Sequence, residues 1–562
     1  MKTLVLVNTS DRVSYARLET SLLNILDFYQ FWYETIDISR TLLDSIELEN
    51  VSLCIIAQEG LGKSLSNLDF ALLFKHVSAG MGLAIFDGMP NAFDPLFSSL
   101  SGAGPFTQHP CEAVEIEKES WPGRHCATQT VSFLLPVLCS SLQNLPEEWK
   151  PLLRTPNKAV CGMWRTYGKG KLSLIGLSAQ LWHQNYLGHG EGLDGVFRNT
   201  MLMTAKKPFV FKGMAPYVTC RIDDVSGSGS IFKSQQEAGE GLRYLTTLND
   251  YGFIPSVGLF TRDIQKEDIP VIKKSFFNGS ADFSPHAFSD PDNTDAFPIY
   301  LDKKGKEFSH DRLEAHFAEI DHSFATWGIK PSRTVNAHFF HMGLNAFPFL
   351  KTRNQFFSMS CIRPGKAFAD PKAFQWRPKP FGKNNFCLDF FEEDPEIFNG
   401  VSHPGEISST RVDFDFLHGC TPFWKESSSN QIPLAVSRGV FQILRGLENL
   451  SFGCMMFHEQ RVHHLTRSEW EETICEIHSQ LRNVPHIQAS YDTILLYAKN
   501  RLRSTILHID HEGDTLRITL QGSSNQTQLL SLVNEESAGP SIHFLEVPAF
   551  ERSIEITFKI SG

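Results

Sequence analysis

The sequence predicts an α/β protein of several domains. The prediction rests on the length of the chain, on its repeated strand-and-helix patterns, and on a carboxy-terminal region that shows strands without helices. The chain has 562 residues, of which 41% are hydrophobic, and a single core rarely grows to that size. Apolar runs of strand length alternate with helical patterns over residues 1–210 and again over residues 215–490. Such alternation is typical of parallel sheets covered by helices. Residues 503–562 show short alternating strands between turns, which predicts a small β-sandwich.

The amino-terminal region, residues 1–210, is expected to be a flavodoxin-like or glutamine-amidotransferase-like domain without a catalytic role. Residues 3–7, 52–57 and 81–87 are predicted strands, and residues 15–29 carry a helical pattern. Amidotransferase chemistry needs a Cys on the tight turn after a strand, and the turn at 86–89 has none. The domain is therefore expected to position substrate or to mediate self-association into a homo-oligomer.

The middle region, residues 215–490, is expected to form a distorted (β/α) barrel. Predicted strands cover residues 255–260, 334–339 and 453–457. Helical patterns cover residues 242–249, 311–327 and 468–481, the last with Ser468 as its expected cap. In such folds the chemistry lies at the carboxyl ends of the strands.

Charge and composition exclude several classes of partner. The formal net charge is −11 and no basic tract occurs, which argues against nucleic acid or an anionic membrane surface as the main partner. No segment approaches the roughly 18 apolar residues of a membrane span, and a cytoplasmic location is the expectation. The eleven Cys include no CxxC pair, so they indicate buried reduced thiols and neither a zinc knuckle nor a disulfide framework.

The most informative motif is the carboxylate pair Asp223-Asp224. It follows the apolar run at 217–220 and precedes a Gly- and Ser-rich stretch. At a strand-to-loop junction both side chains can turn toward one cleft, one to bind a metal and the other to accept a proton. The alternative is an Asp pair that caps a helix starting near Ser230.

Histidines follow other predicted strands of the middle region. His286 and Asp290 are four residues apart, a spacing that brings side chains together on a helical turn, and with Asp224 they would form an Asp-His-Asp metal shell. His338 and His341 lie at the end of another strand. His458 ends an apolar strand and is suited to general acid work, since burial and a nearby carboxylate can tune its pKa.

The order of these motifs resembles that of the NodB-type polysaccharide deacetylases of carbohydrate esterase family 4. Within that superfamily the middle region is most similar to the N-deacetylase domain of heparan sulfate N-deacetylase/N-sulfotransferases. The resemblance covers about half of the chain. It is carried by Ser284-Pro285-His286, His341-Met342-Gly343, Thr410-Arg411, Leu417-His418 and Met456-Phe457-His458.

The resemblance implies removal of acetyl groups from N-acetylated amino sugars of a poly- or oligosaccharide. It makes Asp223 the base, His458 the acid, and Asp224, His286 and Asp290 the metal ligands. The residues that it leaves as substrate-binding or supporting are His338, His341, His418, Arg411 and Asp413, the last two as candidates for the Arg that supports the base and the Asp that orients the acid.

The third metal ligand departs from the family pattern, in which it is usually His. The expected ion is Zn²⁺, but a second carboxylate ligand lowers the Lewis acidity of the metal and makes Mn²⁺, Fe²⁺ or Co²⁺ competitors.

Two other functions stay open at this point. A glycoside hydrolase could pair Asp223 or Asp224 with a distant carboxylate such as Glu459 or Asp415. A carbohydrate-binding protein could keep the fold without the chemistry.

Overall fold

The computed structural model describes residues 1–560 except 94, 125, 127–128, 179–192, 231–236, 290–297, 303, 368–387, 402–414, 422–429, 449–451 and 538. The described residues form two compact units. The first unit comprises those of 1–214 and 500–560, and the second those of 215–499. Within the described ranges no helix combines the length and the apolar character of a membrane span.

The strands are, in chain order, β1 (Lys2–Val7), β2 (Tyr33–Asp37), β3 (Val51–Ile56), β4 (Gly82–Phe86), β5 (Thr107–Ile116), β6 (Thr130–Ser141), β7 (Lys150–Arg154), β8 (Val160–Tyr167), β9 (Gly170–Ile175), β10 (Phe209–Phe211), β11 (Tyr217–Val225), β12 (Pro255–Phe260), β13 (Asp282–Ala287), β14 (Thr334–Val335), β15 (Phe357–Ser358), β16 (Leu388–Phe390), β17 (Phe398–Gly400), β18 (Gly453–His458), β19 (Ile487–Gln488), β20 (Ser504–Glu512), β21 (Thr515–Gly522), β22 (Gln528–Glu536), β23 (Gly539–Val547) and β24 (Ser553–Lys559).

The helices are α1 (Arg12–Leu18), α2 (Asn24–Tyr29), α3 (Asn67–Ala79), α4 (Pro95–Ser101), α5 (Asp194–Thr204), α6 (Tyr244–Asp250), α7 (Ile269–Phe277), α8 (His310–Trp327), α9 (Phe347–Thr352), α10 (Ile432–Glu448), α11 (Glu459–Val462), α12 (Arg467–Leu481) and α13 (Tyr491–Arg501).

The first unit contains a nine-stranded sheet in the order β2-β1-β3-β4-β9-β8-β7-β5-β6. Its first five strands are parallel and the remaining pairs are antiparallel. The inner strands of the parallel part are apolar, as is typical of sheets that helices cover, and β3 and β4 are buried at every position. The predicted strands at 3–7, 52–57 and 81–87 are confirmed as β1, β3 and β4.

The same unit contains two three-stranded sheets, β10-β22-β23 and β20-β21-β24. Apolar side chains of both sheets, among them Val210, Leu516, Ile518 and Leu532, share one core. The strand β10, which precedes the middle region in the chain, completes the first of these sheets by pairing with β22.

The second unit is built on the sheet β13-β12-β11-β18, whose strands are all parallel. A smaller sheet, β14-β15-β17-β16, belongs to the same unit. The expected barrel is not found, since the sheets of the described residues do not close. The strand predicted at 334–339 ends at Val335 as β14, and ladders this short cannot continue a barrel wall.

The three helices predicted in the second unit are found as α6, α8 and α12. The helix predicted at 311–327 is α8, which Ser309 caps and Gly328 ends in the left-handed conformation. The helix predicted at 468–481 is α12, but its cap is Thr466, whose side chain and that of Glu469 form a capping box. Apolar faces of these helices pack on the central sheet through residues such as Phe317 and Trp470.

Candidate active site

The candidate site lies at the carboxyl edge of the parallel sheet in the second unit. Parallel strands end on the same edge, and β11 and β18 are in register with Asp223 opposite His458. The pairing of β11 with β12 slips between Ile222 and Val225, and Asp224 takes a left-handed φ of 58°. This irregularity allows both carboxylates to contact residues of one cluster, whereas neighbours on a regular strand point to opposite faces.

Asp223 is buried and held by two donors. Arg221, two residues earlier on β11, donates from Nε and Nη2 to the two carboxylate oxygens at 2.9 and 2.6 Å, and Asn336 Nδ2 donates to Oδ1 at 2.6 Å. Burial raises the pKa of Asp223, but the Arg221 charge outweighs it and lowers the pKa to about 2. Asp223 is therefore ionised at neutral pH.

Asp224 belongs to a group of three side chains that could hold a metal ion. Its Oδ1 lies 3.1 Å from His286 Nε2 and 3.5 Å from His338 Nε2, and one donor atom from each residue lies within 4.8 Å of the others. Burial lowers the pKa of His338 to about 3, which leaves its imidazole neutral, as metal binding requires.

A hydrogen bond to the backbone fixes the orientation of the His286 ring. Its Nδ1 lies 2.8 Å from the carbonyl oxygen of Asn336, which can only accept, so Nδ1 is the donor there and Nε2 faces Asp224. A backbone carbonyl on the second ring nitrogen is the usual support of a metal-binding histidine. A carboxylate with two such imidazoles fits Zn²⁺ and leaves coordination positions for water and substrate.

Gly258 on β12 provides the space that these residues occupy. A Cβ at this position would lie 2.7 Å from Asn336 Nδ2 and 3.0 Å from His286 Nδ1. Both side chains therefore depend on the glycine below them.

His458, the last residue of β18, pairs with a buried carboxylate. Its Nδ1 lies 2.7 Å from Asp415 Oδ2, and its Nε2 lies 3.9 Å from Asp224 Oδ2. Burial lowers the pKa of His458, but the Asp415 hydrogen bond and the Asp224 charge outweigh it and raise the pKa above its usual value. Asp415 also accepts from Arg461 Nε at 3.1 Å.

Glu459 fixes the loop that follows the carboxylate pair. Its Oε2 accepts from the backbone amides of Ser226 and Gly227 at 2.7 and 3.1 Å, and its Oε1 accepts from the Tyr244 hydroxyl at 2.8 Å. Glu459 and Asp415 are the two carboxylates that the glycoside hydrolase alternative would use. Both accept hydrogen bonds from neighbouring residues of the protein.

An aromatic side chain lies beside the ligand group. Phe339 is 43% exposed, has a left-handed φ of 52°, and its ring centroid lies 4.0 Å from that of His338. His341 is buried, and burial lowers its pKa to about 4. The structure thus exposes an apolar ring next to the ligand group.

Five of the residues singled out from the sequence converge on this cluster: Asp223, Asp224, His286, His338 and His458. His418 is connected to the cluster through Arg461. Its Nδ1 lies 2.9 Å from Arg461 Nη2, and Arg461 Nε donates to Asp415. Asp290, Arg411 and Asp413 lie outside the described residues.

Sequence reasoning missed Arg221, Asn336 and Gly258, and gave Asp415 a different role. Among the described residues, Arg221 contacts Asp223 and Asp415 contacts His458, the contacts for which Arg411 and Asp413 were the candidates. A signal for Arg221 was available, since residues two apart on a strand share a face. Asn336 and Gly258 gave no such signal, because their role arises from contacts between strands.

No family model and no curated protein matches the sequence. One similar solved structure is described as "putative polysaccharide deacetylase from Mycobacterium smegmatis", with 9% identity, a TM-score of 0.36, and coverage of 54% of this chain and 98% of that chain. Another is a "putative glycoside hydrolase/deacetylase" from Parabacteroides distasonis, with 11% identity, a TM-score of 0.32, and coverage of 60% and 86%. Because these TM-scores lie below 0.5, the function is inferred from the geometry of the site.

Proposed function

We propose that the protein is a metal-dependent carbohydrate deacetylase that releases acetate from N-acetylated amino sugars of a poly- or oligosaccharide. The observation that carries the proposal is the pairing of an ionised Asp223 with a histidine of raised pKa, His458, beside one group of metal-binding side chains. Groups whose surroundings push their pKa values in opposite directions are the usual acid and base of such a site.

In this proposal Asp224, His286 and His338 hold the metal, with His338 in the place first expected for Asp290. These three residues give the Asp-His-His set of the resembled family, and the set favours Zn²⁺. When bound, the metal would polarise the amide carbonyl and acidify a water molecule.

Asp223 accepts the proton that water loses as its oxygen attacks the carbonyl carbon. Arg221 and Asn336 hold the two carboxylate oxygens in place, so the carboxylate does not have to reorient during the reaction.

His458 supplies the proton for the leaving group. As the C–N bond breaks, Nε2 of His458 donates to the amine nitrogen, because an amide nitrogen expelled without a proton would be a poor leaving group. Asp415 on Nδ1 keeps the ring oriented and favours its charged form. The products are acetate and a free amino sugar.

The exposed ring of Phe339 supports a sugar as substrate. A sugar ring has an apolar face, and an aromatic side chain at the edge of a polar site offers a flat apolar surface for it.

The test is acetate release from N-acetylglucosamine oligomers by the purified, Zn²⁺-loaded protein. We expect acetate and free amines from the wild type and a loss of at least about 10²-fold for Asp223→Asn. The control is Asp250→Asn, which changes an exposed carboxylate on α6. New reducing ends without acetate would replace this proposal with the glycoside hydrolase alternative.

A further inference from the structure

A second group of metal-binding side chains lies in the first unit, on the sheet formed by β5 and β6. The two strands are antiparallel, with His109 opposite Cys139 and Cys111 opposite Val137. Directly opposite residues share a face of the sheet, and so do residues two apart on one strand. His109, Cys111 and Cys139 therefore project on the same side at the same place.

The donor atoms of these three residues lie close together. One from each lies within 4.8 Å of the others. The Cys111 thiol donates to the carbonyl oxygen of Ala113 at 2.9 Å, and the thiols of Cys111 and of Cys161 on β8 are both neighbours of the Cys139 thiol. Within the described ranges, this group and the Asp224 group are the two places where three such side chains meet.

The burial of the three thiols and the rigidity of the backbone at Pro110 favour a preformed metal site. Cys111, Cys139 and Cys161 are each at most 3% exposed, whereas His109 is partly accessible and leaves a route for an ion. Pro110 stands between His109 and Cys111, and its ring fixes φ of the backbone that joins them.

We propose that His109, Cys111 and Cys139, with Cys161 as the fourth ligand, bind one Zn²⁺ ion in a structural site of the first unit. Three thiolates and an imidazole are a common closed ligand set for structural zinc. Bond lengths of about 2.0 to 2.3 Å place ligand atoms of a tetrahedral site about 3.3 to 3.8 Å apart. The three grouped donor atoms, which lie within 4.8 Å of one another, would therefore draw together on binding, and the Cys161 thiol would turn toward them. Each thiol releases its proton to solvent on binding, and no redox step is needed.

This site would be independent of the proposed deacetylase activity. The Asp224 group contains no sulfur, so a spectroscopic signal from thiolate ligands reports on the proposed site alone. Co²⁺ is a suitable probe because it accepts the tetrahedral sulfur and nitrogen ligands that Zn²⁺ prefers.

The experiment is Co²⁺ titration of the reduced full chain, followed by near-ultraviolet absorption and by zinc analysis of the protein purified without chelator. We expect thiolate-to-cobalt charge-transfer absorption in the wild type and in Asp224→Ala. The absorption should be lost in Cys139→Ser, together with one zinc ion per chain. The control is Cys54→Ser, which changes a buried thiol of β3 in the same unit and should keep the signal.

A second variant guards against a folding defect. His109→Ala changes a partly accessible side chain and should weaken Co²⁺ binding while the circular dichroism spectrum is unchanged. If the wild type shows no charge-transfer absorption, or if Cys139→Ser and His109→Ala both bind Co²⁺ like the wild type, the cluster is ordinary core packing and the proposal is wrong.

Discussion

The adjacent residues Asp223 and Asp224 have different contacts, and substitutions can test their proposed roles one at a time. Asp223 contacts Arg221 and Asn336, whereas Asp224 contacts His286 and His338. In the proposed function the first carboxylate transfers a proton and the second binds the metal.

Asp223→Asn should keep the bound metal and lose activity by about 10²- to 10⁴-fold, the range typical of a general base. Asp224→Ala should lose both metal and activity, because it removes a ligand. Elemental analysis and acetate release measured on the same preparations distinguish the two. Loss of metal from Asp223→Asn would contradict the division of roles.

His458→Ala should depend on the leaving group. An amide nitrogen needs a proton to depart and an activated O-acetyl ester does not, so the loss of rate should be much larger for the amide. Both rates are measured on metal-loaded protein, with His322→Ala, an exposed histidine of α8, as the control. Equal losses on both substrates would show that His458 is not the acid.

Phe339→Ala should raise KM for sugar oligomers and leave kcat nearly unchanged. The ring is exposed beside His338, and removal of an apolar contact made equally before and during the reaction weakens binding only. Steady-state kinetics on oligomers of increasing length provide the measurement. An unchanged KM would mean that sugars do not stack on this ring.

The sequence singled out four residues of the cluster because each lies at or near the end of a strand. Asp223, Asp224 and His458 end apolar runs, and His286 lies in β13. The reasoning for Asp290 assumed a helical turn at His286, and a strand does not have that periodicity. The third member of the Asp224 group within the described residues, His338, comes from another part of the chain, and sequence spacing could not identify that proximity.

At the scale of elements, the central strands position the site because small residues allow close approach. Gly258 has no Cβ, and Asn336 and His286 fill the space in front of it. The helices α8 and α12 were well predicted since their amphipathic patterns repeat over several turns, whereas β14 was overestimated because an apolar run does not show where a ladder ends.

Gly258→Ala should lower activity strongly while the protein still folds. The added methyl would lie 2.7 Å from Asn336 Nδ2 and 3.0 Å from His286 Nδ1, so both side chains must shift. Acetate release and circular dichroism are the measurements, and Ser256→Ala on the same strand is the control. Full activity in Gly258→Ala would show that Asn336 and His286 need not hold these positions.

At the scale of the whole molecule, charges far from the site should govern part of the pH dependence of stability. Asp282 begins β13, and its Oδ2 accepts from the backbone amide of Asp492 at 3.4 Å. Burial and the Asp492 charge raise the pKa of Asp282 to about 7. Asp492 accepts from the hydroxyls of Ser332 and Thr334.

The folded state therefore retains a proton on Asp282 that the unfolded chain releases near its usual pKa of about 4. This contribution to stability is fully present at low pH and is lost as the pH rises through about 7. Asp282→Asn should be stabilised relative to the wild type more at about pH 8 than at about pH 5. Thermal unfolding midpoints at both pH values measure the difference, and an equal effect at both would contradict the raised pKa.

The hydrogen bonds of Glu459 connect the end of the strand that carries the proposed acid to the loop that follows the proposed base. His458 and Glu459 are consecutive in the chain, and Glu459 holds the amides of Ser226 and Gly227, just beyond Asp223 and Asp224. The proposed acid and the proposed base therefore lie opposite each other on two paired strands, and Glu459 ties the loop after the base to the strand that carries the acid. On gradual heating, we expect such a site to keep its turnover until the paired strands themselves melt, so that inactivation coincides with unfolding of the second unit.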